Sequence, residues 1–416
     1  MRKLVRRSRI DGDVAAPPSK SVMVRLLAAG LLAGPDETTI ENPSFCGDAT
    51  SAMRVVQAMG GTVHATPDRV VVTGGIAPRE RVLDCGESGL CLRMFTAIAA
   101  LTSDEITLTG NDALLRRPAT AVEAPSEMLG ATCRTTAGHP PVIVKGPFSG
   151  GEALVDGRLS SQFLSGLLLA LPLIEANSTL TVRGLTSRPY VNLTLGLLSR
   201  FGVTVEHEDH HRFFVPGGQR IVVGEHRVEG DWSAAAFLLV LGALGGRIRV
   251  SGLDPDSVQA DRRVLDVLEE ANASVRRLPD GAEVSESDLR AFSFDLTHAP
   301  DLLPPLAALA SRCEGTSTFH GVERLRTKEC DRTDVVASEL TSLGVRVEVD
   351  GDTMSIRGGP VTGGEVRAHG DHRIAMALAT AGVTAGEPVG IEGTEHVVKS
   401  YPGFFEDLAT VGGHVA

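Results

Sequence analysis

One local pattern returns six times along the chain, as "VVQAMGGTVHA", "PSEMLGATCRT", "LLSRFGVTVEH", "LEEANASVRRL", "ELTSLGVRVEV" and "DLATVGGHVA". Each time a short amphipathic helix runs into a turn residue, and a β-rich run follows. The turn residues are Gly60, Gly130, Gly202, Asn272, Gly344 and Gly412. A helix commonly ends at a residue in the left-handed conformation, which suits Gly best and Asn next. Recurrence at a near-constant period of about 70 residues marks an internal repeat. That period is too long for a solenoid unit and leaves room for two helices and three or four strands. The runs "RVVVT", "ITLTG", "PVIVKG", "TLTVRG", "RIRVSG" and "TMSIRGG" read as strands, from their β-branched content and glycine boundaries.

Six separate beads would leave many small, poorly buried cores. At 416 residues, two domains of three units each are the better solution. The expected class is therefore α/β, or α+β, in two similar halves. The N-terminal "MRKLVRRSRIDGD" reads as a first strand with a charged exterior, because no apolar signal core follows it. No apolar run reaches the roughly 18 residues of a membrane span. A net charge of −12 argues against general nucleic-acid binding, but a local basic cleft still serves small anions. The six cysteines show neither a CxxC motif nor zinc spacing with histidine, and read as buried thiols in the cytoplasm.

Chemistry-bearing residues gather at or near expected helix starts. In "PPSKSVMVR", Ser19 or Ser21 can cap a helix, with Lys20 at its tip and Arg25 one turn past Ser21. "LDCGESGLCLRMF" places Gly89 where backbone can approach a ligand, ahead of Arg93. "DGRLSSQFLSGLLLALPL" opens its apolar helix with Ser160, Ser161 and Gln162, which suits either a cap or an anion site. "ERLRTKECDRTDVV" packs Arg326, Lys328, Glu329, Asp331 and Arg332 together, as a solvated face or a site. In "HGDHRIAMALAT", Asp371 can cap a helix that begins with His372 and Arg373, and Lys399 precedes the last helix. The helix dipole favours acids at these ends, not cations. Lys20, Arg93, Lys328, Arg332, Arg373 and Lys399 together therefore imply helix tips aimed at a shared ligand with several negative charges.

These clusters, in this order, resemble the enolpyruvyl transferase family, and within it the members whose acceptor is shikimate 3-phosphate. The likeness runs from "PPSKS" through "RRP", "SSQFL", "SRPYVNLTL", "HAPD", "KECDR" and "DHRIAM" to "VVKSYP", nearly the whole chain. It implies two similar domains, each of three βαβαββ units, in an inside-out α/β barrel with substrates in the cleft between them. The implied domains are residues 1–17 with 229–416, and residues 18–228. The implied reaction moves the enolpyruvyl group of phosphoenolpyruvate to the acceptor's 5-hydroxyl by addition and elimination. It implies no metal, no organic cofactor and a cytoplasmic monomer.

Carried over by position, Lys20, Ser21, Arg25, Ser160, Ser161, Gln162, Ser187 and Tyr190 would bind shikimate 3-phosphate, with Asp301 and Lys328 at its 5-hydroxyl. Lys20, Gly89, Arg117, Gln162 and Lys399 would hold the phosphate of phosphoenolpyruvate, and Arg332 and Arg373 its carboxylate. Asp301 is the implied base. Glu329 is implied for proton traffic at the methylene, with Lys20 and His372 as further candidates. The chain departs from the family pattern at Val24, Glu87, Leu90 and Arg324. A carboxylate at Glu87 would repel phosphoenolpyruvate unless turned away, paired or protonated. A family branch acting on UDP-N-acetylglucosamine would carry Lys-Asn where this chain has Lys20-Ser21, and usually a cysteine in the loop that here reads "GNDALLRRPAT".

Overall fold

All six expected turn residues take the left-handed backbone: Gly60, Gly130, Gly202, Gly344 and Gly412 at φ between 80° and 112°, and Asn272 at 65°. The computed structural model describes all 416 residues. Each turn closes a helix and launches a strand, and the strands assemble into six four-stranded sheets. All six share one pattern. The first two strands run parallel, and the third and fourth each pair antiparallel with the strand before. This is the mixed α/β arrangement of repeated βαβαββ units.

The chain divides into two compact units, Pro18–Val228 and the pairing of Met1–Pro17 with Glu229–Ala416. The first holds helices α1 (Lys20–Leu32), α2 (Gly47–Ala58), α3 (Gly89–Ala99), α4 (Asp112–Leu115), α5 (Glu123–Met128), α6 (Gln162–Ala170) and α7 (Arg188–Arg200). The second holds α8 (Trp232–Gly245), α9 (Val264–Glu270), α10 (Leu303–Ala310), α11 (Arg332–Ser342), α12 (His372–Gly382) and α13 (Phe404–Thr410).

Each unit has three central helices that pack on one another: α1, α3 and α6 in one, α8, α10 and α12 in the other. A helix that is apolar all round must be buried. Every residue of α3, α10 and α12 is buried, as is α8 from Trp232 to Ala243. The helices that end in the repeat turn are amphipathic and lie outside them. α7, for example, buries Val191, Leu193, Thr194, Leu197 and Leu198 and exposes its other face.

The basic N-terminus forms two strands, not one. Arg2–Arg6 is the third strand of the sheet with Gly364–Arg367, Val389–Glu392 and His414–Val415. Ile10–Ala15 pairs parallel with Gly246–Ser251. The strand Glu225–Arg227 returns to pair with Glu37–Glu41 and completes the first sheet of the other unit. Both units are thus closed by strands distant in sequence.

Candidate active site

In the Pro18–Val228 unit, Lys20, Gly89 and Gln162 are the first residues of the central helices α1, α3 and α6. Ser19 starts α1 by accepting the Val22 N–H at 3.5 Å. Lys20 follows, its Nζ 3.2 Å from Asp48 Oδ2 on the first turn of α2. Arg25 is buried, and its guanidinium donates to Ser21 O at 2.8 Å, Thr194 Oγ1 at 2.9 Å, Tyr190 O at 3.0 Å and Ser165 Oγ at 3.4 Å. Burial lowers its pKa to about 10, so it stays a cation at neutral pH. Those acceptors are all neutral, so a nearby anion would relieve the desolvated charge.

The Ser160–Gln162 run divides its labour. Ser160 Oγ accepts the Gln162 N–H at 3.2 Å, which satisfies one helix-end donor. Ser161 makes no cap bond and is buried. Gln162 Oε1 accepts from Arg93 Nη1 at 2.9 Å, and Arg93 Nη2 donates to Pro118 O at 2.7 Å. Arg93 therefore braces α6 against the segment carrying Arg117. A Cβ on Gly89 would sit 2.7 Å from Arg117 Nη1 and 2.8 Å from Arg93 Nη1, so glycine is what lets both guanidiniums approach. Ser187 enters α7 at φ 55°, a left-handed conformation that costs a non-glycine residue about 1–3 kcal/mol and is common at ligand sites.

In the other unit, the residues at the starts of the central helices are acidic. Asp231, Asp301 and Asp371 stand at 70-residue intervals. Asp231 caps α8 through the Ala234 N–H at 3.0 Å, and Asp371 caps α12 through the Arg373 N–H at 2.9 Å. Asp301 instead faces cations. Its Oδ1 accepts from Arg332 Nη1 at 2.7 Å, its Oδ2 lies 3.1 Å from Arg373 Nη2, and Lys328 Nζ is 3.9 Å away.

Arg332 is the hub of this cluster, 1 % exposed. Besides Asp301 it donates to Asp371 Oδ2 through Nε at 2.7 Å and to Glu329 Oε2 at 2.8 Å. Burial alone would lower its pKa, but Asp371, Glu329 and Asp301 more than offset that and hold it well above its usual value. Glu329 also lies 3.3 Å from Lys399 Nζ. His372 is buried, with Nδ1 3.4 Å from Asp371 Oδ1. Lys328 is pushed down to about 7 by burial, opposed by Asp301 and reinforced by Arg324 and Arg332.

Some expectations need correction. Lys20, Arg332 and Arg373 do open helices, but Arg93 lies in the second turn of α3. Lys328 and Lys399 stand at the ends of 3₁₀ turns, Glu323–Thr327 and Thr394–Lys399, where the dipole favours cations. Nor must a ligand alone offset the cations at helix tips. Asp48 faces Lys20, and Asp301, Glu329 and Asp371 face the arginines. Cys330 is half-buried, with its thiol 3.7 Å from Asp371 Oδ2, while the other five cysteines are buried.

The sequence reading missed Asp48, Ser165, Thr194 and the bracing role of Arg93. It named Asp371 only as a cap. The 70-residue spacing with Asp231 and Asp301 was the available signal for Asp371; pairings such as Arg25 with Thr194 leave none.

The chain matches the sequence model of the family described as EPSP synthase (3-phosphoshikimate 1-carboxyvinyltransferase) over residues 5–408. It is 39% identical over 416 residues to the 3-phosphoshikimate 1-carboxyvinyltransferase of Aeropyrum pernix, covering 100% of this chain and 96% of that protein. Identity to the enzyme of the same name from Methanosarcina mazei is 37% over 430 residues, covering 100% and 99%. The fold is similar to EPSP synthase from Acinetobacter baumannii, with a TM-score of 0.83 at 26% identity over 100% of this chain and 99% of that one. It also resembles the enolpyruvyl transferase NikO from Streptomyces tendae, with a TM-score of 0.81 over 100% and 98%; at 20% identity that likeness speaks to fold alone.

Proposed function

The chain belongs to the EPSP synthase family, and from that premise we propose how its two clusters share the reaction. The enolpyruvyl group of phosphoenolpyruvate moves to the 5-hydroxyl of shikimate 3-phosphate, and phosphate leaves. The hydroxyl oxygen bonds to C2 of phosphoenolpyruvate while a proton joins its methylene, giving a tetrahedral intermediate. Loss of phosphate and of a methyl proton then restores the double bond.

The observation that carries this reading is Asp301, a carboxylate set among Lys328, Arg332 and Arg373. A hydroxyl is a weak nucleophile, and a carboxylate held at hydrogen-bonding reach can take its proton as the bond forms. Lys328 then offsets charge at the same oxygen. Arg332 and Arg373 take the donor carboxylate. Arg373 Nη1 has no hydrogen-bond partner in the protein, which leaves a donor for that role. Glu329, which pairs with Arg332 and Lys399, moves the methylene proton in this reading, with Lys20 and His372 as further candidates.

In the same reading, Lys20, Gly89, Arg117, Gln162 and Lys399 hold the donor phosphate. Ser21, Arg25, Ser160, Ser161, Gln162, Ser187 and Tyr190, with Lys20, hold shikimate 3-phosphate. Positioning two anions side by side supplies much of the rate, and fixed cations supply the charge stabilisation without metal or organic cofactor. One chain carries all of these residues, which fits a monomer.

The test is phosphate release with both substrates present and with each omitted in turn. Release should require both. Asp301→Asn keeps an acceptor for Arg332 but loses the base, so kcat should fall by about 10²–10⁴ with shikimate 3-phosphate binding retained. Near-normal turnover in that variant would remove Asp301 from its role.

A further inference from the structure

Glu87 stands where a carboxylate would be expected to repel an anionic donor, yet the structure gives it another task. Its Oε1 accepts a hydrogen bond from Asn111 Nδ2 at 3.0 Å. Asn111 in turn caps α4, its Oδ1 accepting the Leu114 N–H at 3.2 Å. Arg117 follows directly, its N–H bonded to Leu114 O at 3.0 Å. The glycine turn meets this segment at two more points. Asn111 N–H donates to Gly86 O at 3.0 Å, and a Cβ on Gly110 would sit only 2.2 Å from that oxygen. The turn at residues 86–89 and the segment at residues 110–117 are therefore zipped together. Glu87 is the side-chain fastener, and the guanidinium of Arg117 ends against Gly89.

We propose that Glu87 is a positioning residue: its bond to Asn111 fixes the segment that delivers Arg117, and so sets affinity for the donor's phosphate group. This rests on the assignment of Arg117 to the phosphate of phosphoenolpyruvate. The hydrogen bond from Asn111 gives the Glu87 carboxylate a partner within the protein at this place in the chain. Because Glu87 accepts from an amide, a glutamine can take over the acceptor role without the charge.

The experiment is a swap of the pair, read as KM for each substrate and kcat. Glu87→Gln keeps the bond, and its KM for phosphoenolpyruvate should stay within about threefold of the parent. Asn111→Asp keeps the α4 cap but sets two carboxylates face to face, and should raise that KM by about tenfold or more. Combining the two substitutions restores a donor–acceptor pair in reverse and should bring KM back to within about threefold. KM for shikimate 3-phosphate should hold throughout. A combined variant no better than Asn111→Asp alone overturns the proposal, as does a large gain in donor affinity from Glu87→Gln. Should Asn111→Asp fail to fold, Glu87→Ala leaves the cap intact and should raise the donor KM about tenfold; no change overturns the proposal. Arg117→Ala separates the two levels. An unchanged donor KM there sinks the assignment of Arg117 itself, whereas a raised one with no rescue by the swapped pair sinks only the role of Glu87.

Discussion

Burial brings Lys328 down to about 7, with Asp301 and Glu329 opposing and Arg324 and Arg332 assisting. Below that pH it is an ammonium that attracts anionic substrates, and above it the charge is lost. The kcat/KM of the free enzyme should therefore fall as pH rises through about 7. Bound anions favour the charged form, so the same limb of kcat should move to higher pH. Lys328→Arg keeps a charge at all working pH values and should remove the limb; a limb that survives in Lys328→Arg assigns the titration to another group. At this scale the sequence displayed the charges but not their partners. That Arg332 is gripped by Asp301, Glu329 and Asp371 depends on chain segments up to 39 residues apart meeting in space. The sequence marked Gln162 as a ligand group but gave no sign that its carbonyl oxygen accepts from Arg93.

Among the elements, the repeat was legible because its turn has a chemical requirement. Gly344 sits at φ 85°, and an added Cβ would lie 2.9 Å from Thr362 Cγ2. Gly344→Ala should cost about 1–2 kcal/mol of stability, seen as a lower urea midpoint at unchanged slope, with both KM values unchanged. Asn272→Gly at the equivalent turn should stay within about 0.5 kcal/mol, because Asn already tolerates this backbone. A large loss there and none at Gly344 would contradict the equivalence of the turns. The 3₁₀ turns before Lys328 and Lys399 were not legible. Segments of five and six residues carry no periodicity, and so Lys328 was read into a helix start and Lys399 only as a residue preceding the last helix. The two N-terminal strands merged into one in the sequence reading, because the charges of residues 6–9 mask the break between them.

On the scale of the molecule, each unit has its own three central helices, and the residues proposed above to bind the substrates come from both units. Arg332 is a poor probe of that division, since removing it strands three carboxylates, and breaking a buried pair costs about 3–5 kcal/mol. Arg117 and Arg373 are better, one in each unit. The central claim is that both act on one molecule of phosphoenolpyruvate, Arg117 on its phosphate and Arg373 on its carboxylate. The deciding measurement is KM for phosphoenolpyruvate in Arg117→Ala and in Arg373→Lys, with shikimate 3-phosphate saturating. Both should rise by about tenfold or more while KM for shikimate 3-phosphate changes little. A donor KM that responds to one substitution and ignores the other would contradict the claim.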